Sequence, residues 1–307
     1  MTTVSVIMPT YNRAATVIRA VESVLNQTFA DIELIVVDDG STDSTPALME
    51  NITDPRLRYI RLPTNGGVAR ARNAGIAVAG SDWLAFQDSD DEWLPGKLES
   101  QLAAARDAPN DADWVIGGYT LDSSDGETVI PQHTLAGADP TPDILDGWPI
   151  ITPTWLVRRE LLAAVGPFDE SMRCLEDWDL AFRLSAASSP RAVAGPILVK
   201  HGSIDSVFSS LEDVESGLAT ILSRHGDRWR GNPQRLSRRL AHLGCVEYKL
   251  GHRRQAMRTL ARAVAKNPTR LPLYGLLAAA LSGPGALHRA EARWPWDAGM
   301  TLPPGRS

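Results

Sequence analysis

Short apolar runs alternate with amphipathic stretches through the N-terminal part of the chain, and that alternation leaves few folds open. VSVIM (Val4 to Met8) is closed by Pro9, and ELIVV (Glu33 to Val37) by DDGS. Both runs are mostly apolar at strand length, the pattern of strands buried on both faces of a parallel sheet. Between them Val17, Ile18, Val21, Val24 and Leu25 recur at helical spacing, a stripe that must face a core. Strand, helix and strand make a βαβ unit. The pattern continues with Pro46, suited to the first turn of a short helix ending near Asn51. LRYIRL then supplies a third strand, GGVARARNAGIAVA a helix and DWLAFQ a fourth strand. A helix from about Pro95 to Arg106 and the run DWVIGGYTL follow. The order predicts an α/β fold, Rossmann-like, with a mostly parallel, doubly wound sheet.

Beyond Thr120 the regularity loosens. DSSDGETVIPQ reads as a hairpin, and Pro140 to Pro153 as a proline-rich loop. TWLVRRELLAAVG reads as a short strand or turn entering a helix stopped by Gly166. Leu175 to Ala187 is a second amphipathic helix, and GPILVKHGS a closing strand. From about Gly217 the pattern is helical, so the expected domains are 1–216 and a C-terminal helical appendage, 217–307. Within the appendage, Leu240, Leu243 and Gly244, then Ala256, Leu260, Ala263 and Pro268, stand at the spacings of one tetratricopeptide unit, which residues 237–270 resemble. Glu247 occupies the place where that motif has tyrosine. A solenoid needs about three such units, so this pair is expected to pack on the first domain rather than form an array.

The chain has 307 residues, 43% hydrophobic and 22% charged, the composition of a folded protein. Cys174 and Cys245 show no metal or redox spacing, which fits a reducing compartment and no zinc site. MTT leads straight into VSVIMP without a signal-peptide pattern. Leu271 to Leu287 is apolar but is interrupted by Pro284 and two glycines, short of the about 20 residues of a membrane span. The expectation is a cytoplasmic protein, at most peripheral at the inner membrane surface. The net charge of −6 hides an asymmetry: from Arg224 to Ser307, 16 basic residues face 4 acidic ones, a balance of +12 against −18 in the remainder. A basic segment of this kind implies an anionic partner: phospholipid headgroups, an anionic lipid-linked substrate or nucleic acid. Alternatively its arginines solvate helix faces and pack against the acidic part.

Polar clusters follow the strand ends: PTYN after the first, DDGS after the second, DSDD after the fourth. Parallel sheets bind ligands beyond the carboxyl ends of their strands, so the three clusters should converge on one crevice. In FQDSDDEW the charges of Asp88, Asp90 and Asp91 repel unless a cation compensates them. Mg²⁺ or Mn²⁺, bound by one or two carboxylates with phosphate oxygens and water, fits that chemistry. The other reading is a solvated acidic turn at the start of the following helix.

SVIMPTYNRAATVIRAVESVLNQTF, IELIVVDDGSTDST, NGGVARARNAGI, WLAFQDSDDEWLPGKL and GPFDESMRCLEDWDLAFRL occur in this order and together resemble the family 2 glycosyltransferases of the GT-A fold, from Val4 to about His201. The resemblance implies that Pro9, Thr10, Tyr11 and Asp39 hold the nucleotide base and ribose, and that Arg70 or Arg72 reaches the diphosphate. DSDD matches the family's DxD motif, which gives Asp88 to the ribose and Asp90 to the metal, with Asp91 the alternative metal ligand. LEDWDL matches the ED motif, making Asp177, beside Glu176, the catalytic base. His201 is either a metal or diphosphate ligand or a locally bonded histidine. Trp155 and Trp178 form either an acceptor platform or core packing. The implied activity is inverting, metal-dependent (Mn or Mg) transfer, of hexosyltransferase type. A sugar moves from a nucleotide-diphosphate donor, expected to be a UDP-sugar, to a hydroxyl of a glycan or lipid-linked acceptor in glycan or cell-surface polysaccharide assembly. Nucleic acid is not an expected partner on this reading. Two rivals remain at this stage. A nucleotidyltransferase would carry a Gly-rich phosphate loop after the first strand, which PTYNRAAT is not; a non-catalytic scaffold would have no use for the full acidic set.

Overall fold

The computed structural model of the protein describes residues 3–107, 112–123, 126–130, 151–202, 210–283, 286 and 289–290. These fall into two compact units: one takes residues up to 130 with 151–171 and 179–202, the other 172–178 and the residues from 210. Most of the expected loop from Pro140 to Pro153 lies outside the described residues; its end is a short 3₁₀ turn, Thr152–Thr154.

The first unit is built on a nine-stranded sheet. Its elements are β1 (Val4–Thr10), α1 (Val17–Leu25), β2 (Ile32–Asp38), α2 (Thr45–Glu50), β3 (Leu57–Arg61), α3 (Val68–Val78), β4 (Trp83–Phe86), β5 (Glu92–Trp93), α4 (Lys97–Arg106), β6 (Trp114–Ser123), β7 (Gly126–Ile130), β8 (Leu156–Arg158), α5 (Arg159–Val165), the part of α6 (Glu176–Ala187) from Asp179 onward, and β9 (Arg191–His201). The order across the sheet is β3-β2-β1-β4-β8-β6-β9-β5, with β7 paired to β6. The expected parallel sheet is β3-β2-β1-β4. Beyond it the sheet is mixed, because β6 returns through the β6–β7 hairpin instead of a crossover helix, and β8 runs antiparallel to both β4 and β6. Pairing of β9 with β6 is parallel again.

Every residue of β1 is buried, as its apolar run requires. Helix α1 buries Val17, Ala20, Val21 and Val24 in the same cluster. Helix α3 comes close to the sheet at Gly75, where a Cβ would stand 2.6 Å from Ile7 Cγ2. Gly166, at φ 85, ends α5, and Arg183 of α6 donates to the Val165, Gly166 and Pro167 carbonyls at 2.9, 2.7 and 2.8 Å. A cation on the last carbonyls of a helix satisfies groups that have no partner within it. Asp179 in turn holds Arg183 at 2.8 Å.

The second unit contains α7 (Leu211–Arg224), α8 (Pro233–Lys249), α9 (Arg253–Lys266) and α10 (Leu271–Ser282). Helices α8 and α9 are the pair with tetratricopeptide spacing. Leu240, Ala256, Leu260 and Ala263 are buried together, and Gly244 permits the close crossing, since a Cβ there would stand 2.8 Å from Leu260 Cγ. Glu247 is buried and accepts from Gln255 at 2.9 Å. Neither Cys174 nor Cys245 forms a disulfide. Among the described residues no helix is long and apolar enough to cross a membrane.

Candidate active site

Strands β1, β2 and β4 are parallel neighbours, so the loops after them leave one edge of the sheet. The loop after β1 is tied to both others. The Asn12 side-chain oxygen accepts from the Thr42 and Asp43 N–H groups at 2.8 and 3.3 Å, and the Asn12 N–H donates to Ser41 Oγ at 2.9 Å. Asn12 adopts φ 51, a left-handed conformation that asparagine tolerates better than most residues. On the other side Thr16 Oγ1 donates to the Ser89 carbonyl at 2.8 Å, and Arg19 to the Asp90 carbonyl at 2.7 Å.

Of the four residues expected at the nucleotide, Pro9 is buried within β1 and Tyr11 exposes 42% of its surface. Thr10 is buried, and its Oγ1 has no hydrogen-bond partner among the described residues. The Asp39 carboxylate accepts from the Gly66 N–H at 2.9 and 3.0 Å and the Gly67 N–H at 2.7 Å, which fixes the turn into α3. Asp38 is a turn residue: it accepts from the Ser41 N–H at 2.7 Å and the Tyr59 hydroxyl at 2.5 Å.

The acidic cluster after β4 divides in two. Asp88 and Asp90 stay partly exposed, with side chains 25% and 17% accessible. Each gives one oxygen to an arginine: Asp88 Oδ1 to Arg72 at 2.9 Å, Asp90 Oδ2 to Arg13 at 3.4 Å. The second oxygen of each has no partner among the described residues. Asp91, by contrast, is fully buried. It accepts from the His201 N–H at 3.2 Å and lies 3.4 Å from Lys200 Nζ. Burial pushes its pKa up to about 7, opposed by Lys200 and aided by the charges of Asp88 and Asp90. Burial works against the Lys200 ammonium, yet the three aspartates hold its pKa above the ordinary lysine value.

The expected metal set of Asp90, Asp91 and His201 is divided by this arrangement. Asp91 is drawn into the sheet by β9, and His201 Nδ1 is held 3.0 Å from Asp122 with Nε2 3.6 Å from Glu92. No group of three His, Cys, Asp or Glu side chains among the described residues could hold a metal by itself. The oxygen left over on Asp90 nevertheless suits a divalent ion whose remaining ligands are phosphate oxygens and water. Arg72 is likewise committed: it is buried, bound to Asp88 and 5.2 Å over the Phe168 ring. Arg70, half-buried, donates to the Thr64 carbonyl at 3.3 Å.

Asp177 lies in the first turn of α6, half-buried, and accepts from the Trp178 N–H at 2.7 Å; Glu176 is buried. Leu175, just before them, has φ 63, a conformation that costs a side-chain-bearing residue about 1–3 kcal/mol. Within the same unit the Cys174 carbonyl meets Gly217 so closely that a Cβ there would stand 2.8 Å away. An acceptor platform from Trp155 and Trp178 is excluded by burial. Trp155 is 0% exposed, edge-on to Phe86 and Trp114. Trp178 packs edge-on to Trp229 under the Arg239 guanidinium.

Sequence reasoning missed Asn12, Arg13 and Lys200. Each stands beside a residue it did select, and the usable signal was a lone basic or amide side chain in a strand-end segment facing clustered aspartates. A cavity of about 380 Å³ in the helical unit, lined by Leu240, Leu243, Glu247 and Arg258 among others, includes none of the candidate residues. Chemistry, and not concavity, identifies the site.

A parallel Rossmann-like half sheet with carboxylates at its strand ends has the architecture of a GT-A fold. Residues 5–163, more than half of the chain, match the model of Glycosyl transferase family 2, and the chain belongs to that family. It is similar to the succinoglycan biosynthesis protein ExoO of Rhizobium meliloti (strain 1021), 32% identical over 309 residues that cover 93% of this chain and 83% of that protein. It is also similar to WfgD of Escherichia coli, a UDP-Glc:alpha-D-GlcNAc-diphosphoundecaprenol beta-1,3-glucosyltransferase, at 36% identity over 42% of this chain and 51% of that protein. The crystal structure of S. aureus TarS 1-349 in complex with UDP-GlcNAc aligns with a TM-score of 0.66 at 22% identity, covering 94% of this chain and 90% of that one. At that identity the likeness shows a shared fold.

Proposed function

We propose that this glycosyltransferase is inverting and cation-dependent, and moves a hexose from a UDP-sugar to a hydroxyl of a glycan or lipid-linked acceptor in cell-surface polysaccharide assembly. The observation that carries the reading is the pair Asp88 and Asp90 at the end of β4, each with one oxygen bound to arginine and one left over. The donor class is supported by the likeness to WfgD, a glucosyltransferase whose donor is UDP-Glc and whose acceptor is alpha-D-GlcNAc-diphosphoundecaprenol.

Tyr11 presents a ring face to the base. Asp39, oriented by Gly66 and Gly67, has lone pairs left for an imide N–H. Asp88 takes the ribose, and Asp90 leads the grip on the cation. A bound Mg²⁺ or Mn²⁺ would supply charge stabilisation for the departing diphosphate. Asp177 takes the proton of the acceptor hydroxyl while the oxygen bonds to the anomeric carbon and the bond from that carbon to the diphosphate breaks; one displacement inverts the centre.

Thermal melting with and without UDP and Mn²⁺ tests the donor site. Ligand at about 100 times its Kd adds about 2.7 kcal/mol, which gives a clear rise in Tm that needs the cation and vanishes in Asp90→Ala. No shift in the unaltered protein would favour a scaffold that has lost donor binding. Hydrolysis of a panel of nucleotide sugars then names the donor.

A further inference from the structure

Helix α10 has no charged residue, and only one side of it is covered: Leu273, Leu276, Ala279 and Ala280 are buried. Leu271, Tyr274 and Leu281 are 78%, 43% and 72% exposed. Among the described residues the only other large hydrophobic side chains so exposed are Tyr11 and Val129. Isolated exposed apolar side chains need no explanation, but a group on one helix does.

Helix α9 packs on α10 through Ala256, Leu260 and Ala263. Its charged residues are Arg253, Arg254, Arg258, Arg262 and Lys266, all basic. Arg254, Arg258, Arg262 and Lys266 recur at every fourth position, are exposed, and make no ion pair with a described residue. Like charges at this spacing repel one another, a repulsion that water and salt ions screen and an anionic partner would relieve.

We infer that α9 and α10 form a docking surface for an anionic lipid bilayer. Guanidinium groups match lipid phosphates, and leucine and tyrosine side chains suit the boundary between headgroups and acyl chains. A nucleic acid would neutralise the arginines but leave the apolar side chains in water. A second copy would cover the apolar side chains but bring two basic helices together. The inference goes beyond the proposed reaction and does not depend on the sugar donor.

Sedimentation of the full chain with large unilamellar vesicles tests it. At low salt the protein should pellet with vesicles of phosphatidylglycerol and phosphatidylcholine, stay in solution with phosphatidylcholine alone, and be released as salt screens the headgroups. Each basic residue near an anionic surface contributes about fivefold, so the Arg254→Glu, Arg258→Glu, Arg262→Glu variant should lose more than about a hundredfold. A Leu271→Asp, Leu281→Asp variant should lose about tenfold or more with its circular dichroism unchanged. The UDP- and Mn²⁺-dependent rise in Tm, read on both variants, should persist, which separates a failed docking surface from a failed donor site. The inference is overturned if the unaltered protein ignores anionic vesicles, or if the leucine variant binds them as well as the parent. A dimer that Leu271→Asp splits, with no vesicle binding by the parent, would overturn it in favour of contact between copies.

Discussion

The two units handle charge in opposite ways. In the sheet unit the acids of the β4 loop are matched at short range: Asp88 by Arg72, Asp90 by Arg13, Asp91 by Lys200. In the helical unit the basic row of α9 has no acidic counterpart among the described residues. Charges that a fold neutralises internally can be placed for chemistry on a small ligand, whereas a row without internal partners is left to solvent or to an anionic surface. Segment charge alone, +12 against −18, does not separate these cases; the ion pairs do.

If the contrast is sound, damage to the acidic site should abolish chemistry without unfolding either unit. Asp177→Asn should lower kcat by about 10²–10⁴, the range for removing a general base, while leaving the UDP- and Mn²⁺-dependent rise in Tm in place; an unchanged kcat would remove Asp177 from the reaction. Asp39→Ala leaves the Gly66 and Gly67 N–H groups without their acceptor. A charge-assisted hydrogen bond is worth about 1.5–3 kcal/mol, so calorimetry should show a lower Tm and weaker UDP binding together.

Smaller effects probe the helical unit. Gly244→Val drives methyl groups into Leu260, and overpacking of this kind costs about 1–3 kcal/mol. Hydrogen exchange should accelerate along α8 and α9 while UDP binding stays as it was; equal acceleration in β1 and β2 would show that the units do not open separately.

The smallest effect concerns acid. Burial, with Arg239 and Lys249 adding to it, pushes the His242 pKa down from 6.5 to about 3. The unfolded chain therefore binds the proton more readily. His242 contributes stability that is full above pH 6.5 and is lost as the pH falls toward 3. His242→Asn should flatten that limb of the stability profile relative to the parent, and parallel profiles would mean the imidazole is not shielded as described.

Much of this was legible from residue pattern. The runs at Val4 and Glu33 are mostly apolar because the strands are covered on both faces, and β1 and β2 form where those runs predict. The mixed half of the sheet was not legible: β8 is three residues long, and nothing in LVR specifies an antiparallel partner on each side. Asp88 and Asp90 were recognisable from spacing, but the separation of Asp91 from them was not. Asp91 is set apart by the register of β5 against β9, Glu92 opposite Val199, which brings the His201 N–H to its carboxylate. Such a long-range pairing leaves no local trace. Trp155 and Trp178 stayed open between platform and core for a related reason: an indole in a polar stretch reads equally as a ligand face or as core until its packing partners are known.

Loop 10–16, pinned on one flank by Asn12 and on the other by Thr16, acts as a fixed jig between two recognition tasks. These bonds hold its shape without any ligand present. On the proposed reading, exchanging the aromatic ring at Tyr11 should retune which nucleobase is preferred while the pyrophosphate end stays in alignment, making the two halves of donor choice separately adjustable over evolution.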